Sequence, residues 1–301
     1  MIYHVRHTTI YEYSEPVALC QNLAHLTPRS TPQQTCRSTA LEISPLPAVV
    51  SQQTDYFGNP ATFFTVQEMH KELKVTAVHL VAVTPEPPPA LESTPPWEDV
   101  RDLLPRDRSP EVVAAYEFVF PSPYVPVLKE LTEYGRTSFP AGRPLIAGVL
   151  DLTKRIHAEF RYDPRATTVA TPLREVFSNK RGVCQDFAHL QISCLRGLGL
   201  AARYVSGYLC TSPPPGQRRM VGADASHAWL AVYCPGSGWI DFDPTNAVIP
   251  AEKHIRLAWG RDYDDVSPIK GVILGGGDHE VKVAVDVVSR DPLAMLELGE
   301  T

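Results

Sequence analysis

The run Arg181-Gly182-Val183-Cys184-Gln185-Asp186-Phe187-Ala188-His189-Leu190 constrains this chain more than any other segment. A glycine turn precedes Cys184, and Phe187, Leu190, Cys194 and Leu198 then recur at helical spacing. The cysteine therefore falls in the first turn of a helix, where unpaired backbone N–H groups and the positive end of the helix dipole favour a thiolate. Ser226-His227-Ala228-Trp229 follows, and then Trp239-Ile240-Asp241-Phe242-Asp243-Pro244-Thr245. The order is cysteine, histidine, aspartate.

Those three residue types form a working set. A thiolate attacks an acyl carbon, an imidazole moves the proton, and a carboxylate fixes the imidazole's tautomer and orientation. His227 and Asp243 each adjoin a strand-like run, and Cys234-Pro235-Gly236-Ser237-Gly238 between the runs is rich in hairpin-closing residues. Two antiparallel strands would bring His227 and Asp243 side by side, with the Cys184 helix packed against them.

Four segments carry a family resemblance: Gly182 to Ala188, Gly199 to Tyr208, Ser226 to Trp229, and Gly238 to Thr245. Together they closely resemble the bacterial transglutaminase-like superfamily, and the match is specific over roughly residues 145–270. The resemblance implies a papain-like core with Cys184, His227 and Asp243 as a catalytic triad. Asp243 is the match because it precedes Pro244-Thr245. Asp241 is an extra carboxylate on the same strand face. The opening Tyr3 to Tyr13 and the segment Asp55-Tyr56-Phe57-Gly58-Asn59 look like the β domain that precedes this core in bacterial members.

The remaining candidates are weaker. Asp186, Trp229, Tyr208 and Tyr263 are candidate substrate contacts. Asp186 could equally complement the helix dipole, and Trp229 and Trp239 suit packing beside the site. Cys20, Cys36, Cys194, Cys210 and Cys234 read as small buried apolar groups. His189 reads as packing or a local hydrogen bond, and no histidine shows metal-ligand spacing. Neither a metal nor another cofactor is expected, and no acidic loop has calcium-ligand spacing.

A net charge of -6 with interspersed signs gives no electrostatic case for nucleic acid or an anionic membrane. The longest apolar stretch, Val75 to Val83, is interrupted and too short to span a bilayer. Six cysteines without paired spacing, behind an opening that reads as a strand rather than a leader, suit reduced thiols in the cytoplasm.

The expected fold is α+β, a papain-like catalytic core preceded by a β-sandwich that a C-terminal strand completes. Residues 1–83, with 278–290, make the β domain, 84–97 a proline-rich connector, and 98–274 the catalytic domain. Strands are expected at Tyr3–Tyr13, Ser38–Ser44, Asn59–Gln67 and Lys71–Val83, and an amphipathic helix from Leu145 to Phe160. The valines at 281, 283, 285 and 287 alternate strictly, which predicts one uniformly buried face. Gly275-Gly276-Gly277 reads as a flexible turn. Thr211 to Arg219 and Gly260-Arg261-Asp262-Tyr263 are candidate specificity loops.

The expected chemistry is acyl transfer at an amide carbonyl of a peptide or protein, through a thioester on Cys184. Hydrolysis of a peptide or isopeptide bond comes first, with amine transfer to glutamine as the alternative. A binding or scaffold module and a Cys184–His227 metal site are the readings from other classes.

Overall fold

The structure is a computed structural model in which residues 1–211 and 226–290 are described. The chain opens with five strands: β1 (Ile2–Ala24), β2 (Gln34–Ser44), β3 (Val49–Thr54), β4 (Pro60–Val66) and β5 (His70–Val83). Past the proline-rich segment come α1 (Trp97–Leu103), α2 (Pro110–Tyr116), α3 (Lys129–Arg136) and α4 (Leu145–Glu159). Short β6 (Arg161–Tyr162), α5 (Leu173–Asn179) and short β7 (Arg181–Gly182) lead into α6 (Cys184–Gly197). Four strands then form a second sheet: β8 (Ala202–Leu209), β9 (Ser226–Cys234), β10 (Gly238–Phe242) and β11 (His254–Gly260). Finally β12 (Ile269–Gly275) and β13 (His279–Arg290) return to the first sheet.

The β domain is a single seven-stranded antiparallel sheet built around β1. The first half of β1 pairs with β5 and β13, and its second half pairs with β4 and β12. Tyr13, Val17, Cys20 and Ala24 of β1 pack with Phe64, Val66, Leu73, Val75 and Ile269, so the two halves fold over a common core. The sandwich is thus one sheet doubled over. Its first strand runs eleven residues beyond the expected end at Tyr13. The extension carries little strand propensity of its own, and backbone bonding at both edges holds it instead. Strand β3, exposed along its length, has no burial pattern from which to infer it.

Two expectations about the tail need correction. Ile269–Gly275, assigned above to the catalytic part, pairs with β1 from Val17 to Ala24. Strands β12 and β13 therefore run end to end as one interrupted strand beside β1. Gly275, Gly276 and Gly277 all have positive φ (95°, 91° and 59°) and lie opposite the bend of β1 rather than in a free turn. Ser14 N donates to Asp278 O at 2.9 Å, Glu15 N to Gly276 O at 3.1 Å, and Gly276 N to Pro16 O at 3.2 Å. A Cβ on Gly275 would meet Pro16 O at 2.6 Å, so the run makes a bulge that only glycine fits. The second correction concerns the valine face. Val285 and Val287 are 1% and 0% exposed, whereas Val281 and Val283 are 45% and 52% exposed.

The two parts share one core. Tyr3, Val5, Val81, Val83, Val285 and Val287 pack in the same apolar cluster as Leu190 of α6 and Ile255 of β11. Side-chain amides also cover the open edge of β11. Gln34 accepts from Arg256 N at 2.8 Å and donates to Arg256 O at 2.7 Å. Asn59 does the same for Trp259, at 2.9 and 2.8 Å. Each amide mimics a paired strand residue and satisfies an edge that would otherwise stay unpaired.

Deleting residues 279–301 is expected to give an insoluble or rapidly proteolysed protein. It strips the pairing partner from β1 and exposes the core face that Val285 and Val287 cover, each worth about 1.5–3 kcal/mol of burial. A soluble truncation with wild-type protease resistance across residues 1–83 would show that the tail is dispensable.

Candidate active site

Helix α6 is buried from Asp186 through Arg196, and it is anchored at both ends. At its N-terminus the Asp186 carboxylate accepts from Val183 N at 2.8 Å and Thr167 Oγ1 at 2.6 Å. A Cβ on Gly182 would come within 2.7 Å of that carboxylate, so the glycine before Cys184 makes room for the cap. Burial raises the Asp186 pKa, with the two hydrogen bonds opposing. At the C-terminal end Arg196 donates to the carbonyls of Phe118, Ala202 and Arg261 and to Ser122 Oγ. These bonds fix the turn that presents Cys184, half-buried, at the domain junction.

His227 opens β9, and Asp243 directly follows β10, its neighbour in the sheet. His227 Nε2 lies 2.8 Å from Asp243 Oδ2, which leaves Nδ1 to face another partner, and Cys184 lines the same cleft and favours the charged form of the ring. Asp243 is fully buried, and every lone pair has a partner. Oδ1 accepts from Thr245 N at 2.9 Å and Asn246 N at 3.2 Å, while Asn246 Nδ2 donates to Oδ2 at 2.7 Å. Asp241 points elsewhere, accepting from Trp229 Nε1 at 3.0 Å and pairing with Arg256 Nε at 2.7 Å.

No spacing in the sequence gives His254 a role. Its Nε2 lies 2.9 Å from Asp243 Oδ2, so two imidazoles share one carboxylate oxygen. Only the pairing of β11 with β8 brings His254 there, and no local spacing could have announced it. His227, Asp243 and His254 also form the one group, among the described residues, that could hold a metal ion, with ligand atoms within 4.8 Å of one another. An ion there would compete with the protons that now bind both rings to Asp243.

Burial pulls the His227 pKa down, but hydrogen bonds and charge from Asp243 and Cys184 outweigh it and raise the value to about 10. Burial likewise pushes Asp243 up, and its bonds from His227, His254 and Asn246 reverse this, holding the carboxyl well below the usual range. The depressed carboxyl contributes stability above its unfolded value near 3.8, lost as pH falls further. The raised imidazole contributes fully below 6.5, and its share fades as pH climbs towards 10. The melting-temperature gap between wild type and Asp243→Asn should therefore be widest between about pH 4 and 6.5. A gap that is constant from pH 3 to 10 would contradict this coupling.

Cys184 and His227 open into a cleft of about 300 Å³ between the two parts of the molecule. Of the four candidate substrate contacts, Tyr263 lines it. Tyr263 is held there because its backbone N–H donates to His189 Nε2 at 3.2 Å, the neutral ring of a residue whose pKa burial lowers to about 3. The other three are engaged elsewhere and correct the sequence reading. Asp186 caps α6. Trp229 is fully buried, its ring nearly perpendicular to that of His254 at 5.2 Å between centroids. Tyr208, also fully buried, shares a 2.9 Å hydrogen bond with His7 Nδ1 across the domain junction. In the loop before Tyr263, Asp262 caps its own turn through Asp264 N, and Arg261 pairs with Asp265. Of the candidate loop Thr211 to Arg219, all but Thr211 lies outside the described residues. His7, Thr9 and Tyr11 of β1, Tyr204 of β8, and Val281 and Val283 of β13 line the cleft without having been anticipated.

Residues 3–82 match the bacterial transglutaminase-like N-terminal region, and residues 138–244 match the transglutaminase-like superfamily. An uncharacterized protein of Mycobacterium tuberculosis is 41% identical over 295 residues, spanning 95% of this chain and 92% of its own length. The chain belongs to the transglutaminase-like superfamily. A 128-residue stretch is 28% identical to a protein-glutamine gamma-glutamyltransferase of Pseudomonas aeruginosa, covering 36% of this chain and 19% of that one. The fold is similar to that of a candidate cysteine protease from Cytophaga hutchinsonii, with a TM-score of 0.74 at 20% identity over 97% of this chain and 92% of that one. No helix among the described residues is long and apolar enough to cross a membrane.

Proposed function

We propose that this protein is a cysteine hydrolase that opens a peptide or isopeptide bond through a thioester on Cys184. The observation that carries the proposal is the chain of contacts from Cys184 to His227 to the buried Asp243, opening into a cleft. His227 takes the thiol proton, and Cys184 Sγ attacks the amide carbonyl carbon. The first turn of α6 offers backbone N–H groups towards the oxyanion that develops. As the tetrahedral adduct collapses, the C–N bond breaks and the imidazolium gives its proton to the departing amine. Water then adds to the thioester with His227 as base, the C–S bond breaks, and the carboxylic acid leaves with the thiol restored. Asp243 keeps Nδ1 of His227 aimed at the sulfur throughout.

Amine transfer differs only in the acceptor that reaches the thioester. The stretch shared with the Pseudomonas glutamyltransferase keeps it as the second reading. Six free thiols suit a reducing compartment, and we assign the protein to the cytoplasm. Incubation with a mixed peptide pool, in the presence and absence of a primary amine, should trap an acyl adduct on Cys184 by mass. Release as free acid supports hydrolysis, release as amide supports transfer, and no adduct on Cys184 under either condition refutes both.

A further inference from the structure

We infer that the C-terminal strand β13 forms the apolar wall of the catalytic cleft, and that the site takes peptides with uncharged, bulky apolar side chains beside the reacting amide. The inference rests on the acyl-transfer reading above and names its substrate class.

Along β13 the valines divide by depth. Val285 and Val287 are sealed in the core that joins the two parts, while Val281 and Val283 emerge 45% and 52% exposed. Both line the cleft that holds Cys184 and His227. Their cross-strand partners on β1 are Tyr11 and Thr9, which line it too. The ladder thus lays an aromatic, a threonine and two valines opposite the nucleophile, and Pro268 and Ile269 extend the surface. The other face of β13 carries Glu280, Lys282 and Asp286, the charges that normally guard an edge strand. Leaving the valines bare on the inward face alone is a liability unless something apolar is meant to cover them.

The charge pattern limits what that can be. Among the described residues, no Asp, Glu, Lys or Arg lines the cleft. Its polar groups are hydroxyls, the Gln185 amide, and two imidazoles. Burial lowers the pKa of His7 to about 4, which leaves it neutral. An ionised substrate side chain would lose water there and, among the described residues lining the cleft, find no counter-charge besides His227. An isobutyl, isopropyl or phenyl group would instead bury itself on Val281, Val283 and Ile269.

The test uses the full chain and acetyl-dipeptidyl chloromethyl ketones, whose chloride the Cys184 thiolate displaces. Both residues of the dipeptide are leucine in one probe, aspartate in a second and lysine in a third. Intact mass gives the rate of single alkylation, and Cys184→Ala gives the background from the other five thiols. The leucine probe is expected to react at least about tenfold faster than either charged probe, the discrimination a hydrophobic pocket typically supplies. In Val281→Thr/Val283→Thr the leucine-to-aspartate ratio should fall to within about threefold, and in Val283→Lys the aspartate probe should overtake the lysine probe. Ratios within one variant cancel any general loss from misfolding. Iodoacetamide, too small to need the wall, reports the nucleophile separately. If Cys184 reacts quickly with iodoacetamide but the wild-type ratios are near one, the apolar wall is refuted and the acyl-transfer reading stands. If wild type is selective and the valine variants keep that selectivity, another segment makes the pocket and the role of β13 is refuted. If Cys184 reacts no faster than the other thiols with any reagent, the acyl-transfer reading itself fails.

Discussion

Cys184→Ala should lose at least about 10⁴-fold in amide-cleaving or amine-incorporating turnover while keeping its cooperative melting transition. The large kinetic effect follows because the nucleophile of a cooperating set cannot be replaced by its partners. The small structural effect follows from position. Cys184 is half-buried at the lip of the cleft, and Asp186 rather than the thiol holds the first turn of α6. Truncating the thiol leaves that cap and the Arg196 anchor intact. Steady-state turnover and a thermal melt, measured on one preparation, decide the matter. Near-wild-type turnover would make Cys184 a structural residue and remove the basis for any thioester.

Asp243→Asn should cost about 10⁴-fold in turnover, the loss seen for the corresponding change in a serine-protease triad, where the amide stabilises the wrong imidazole tautomer. A second effect adds to it here. Oδ2 of Asp243 faces His227, His254 and Asn246 Nδ2, and an amide NH₂ in that place would confront donors with a donor. Breaking this network should also cost about 1–3 kcal/mol of stability. Asp241→Asn has the opposite profile. It weakens the pair with Arg256 and the bond from Trp229, neither of which involves Asp243 or Cys184, so stability should fall while turnover per folded molecule changes by less than about tenfold. Turnover normalised to folded protein separates the two. The reverse ranking would give Asp241 the orienting role.

The chemical types and their order were legible in the linear chain because local patterns encode them. A glycine turn before an apolar helix places Cys184. The punctuation between two strand-like runs makes them neighbours, and the structure has His227 on β9 and Asp243 just past the end of β10 beside it. Helix α4 ends within a residue of its expected bound, since its apolar stripe is continuous. The choice between Asp241 and Asp243 was legible only through the resemblance. In the molecule it is made by Arg256, which lies fifteen residues beyond Asp241 and claims its carboxylate.

What the sequence could not reveal depends on partners distant along the chain. His254 meets Asp243 through the pairing of β11 with β8, and Gln34 and Asn59 seal β11 from more than 190 residues away. The glycines at 275–277 read as a turn because composition reports conformational freedom, whereas the bend of β1 at Ser14 to Pro16 sets what that freedom is used for. The valines of β13 are alike in the sequence, and strict alternation specifies one face without specifying what covers it. The tertiary structure divides them at Val283, burying the distal pair in the shared core and turning the proximal pair towards Cys184. The sequence alone determined the order of cysteine, histidine and aspartate and the strand pattern around them, because helix and strand periods are local. Which face is core and which is cleft was decided only by the docking of β1 and β13 against α6 and β8, because burial is a property of the assembled surface.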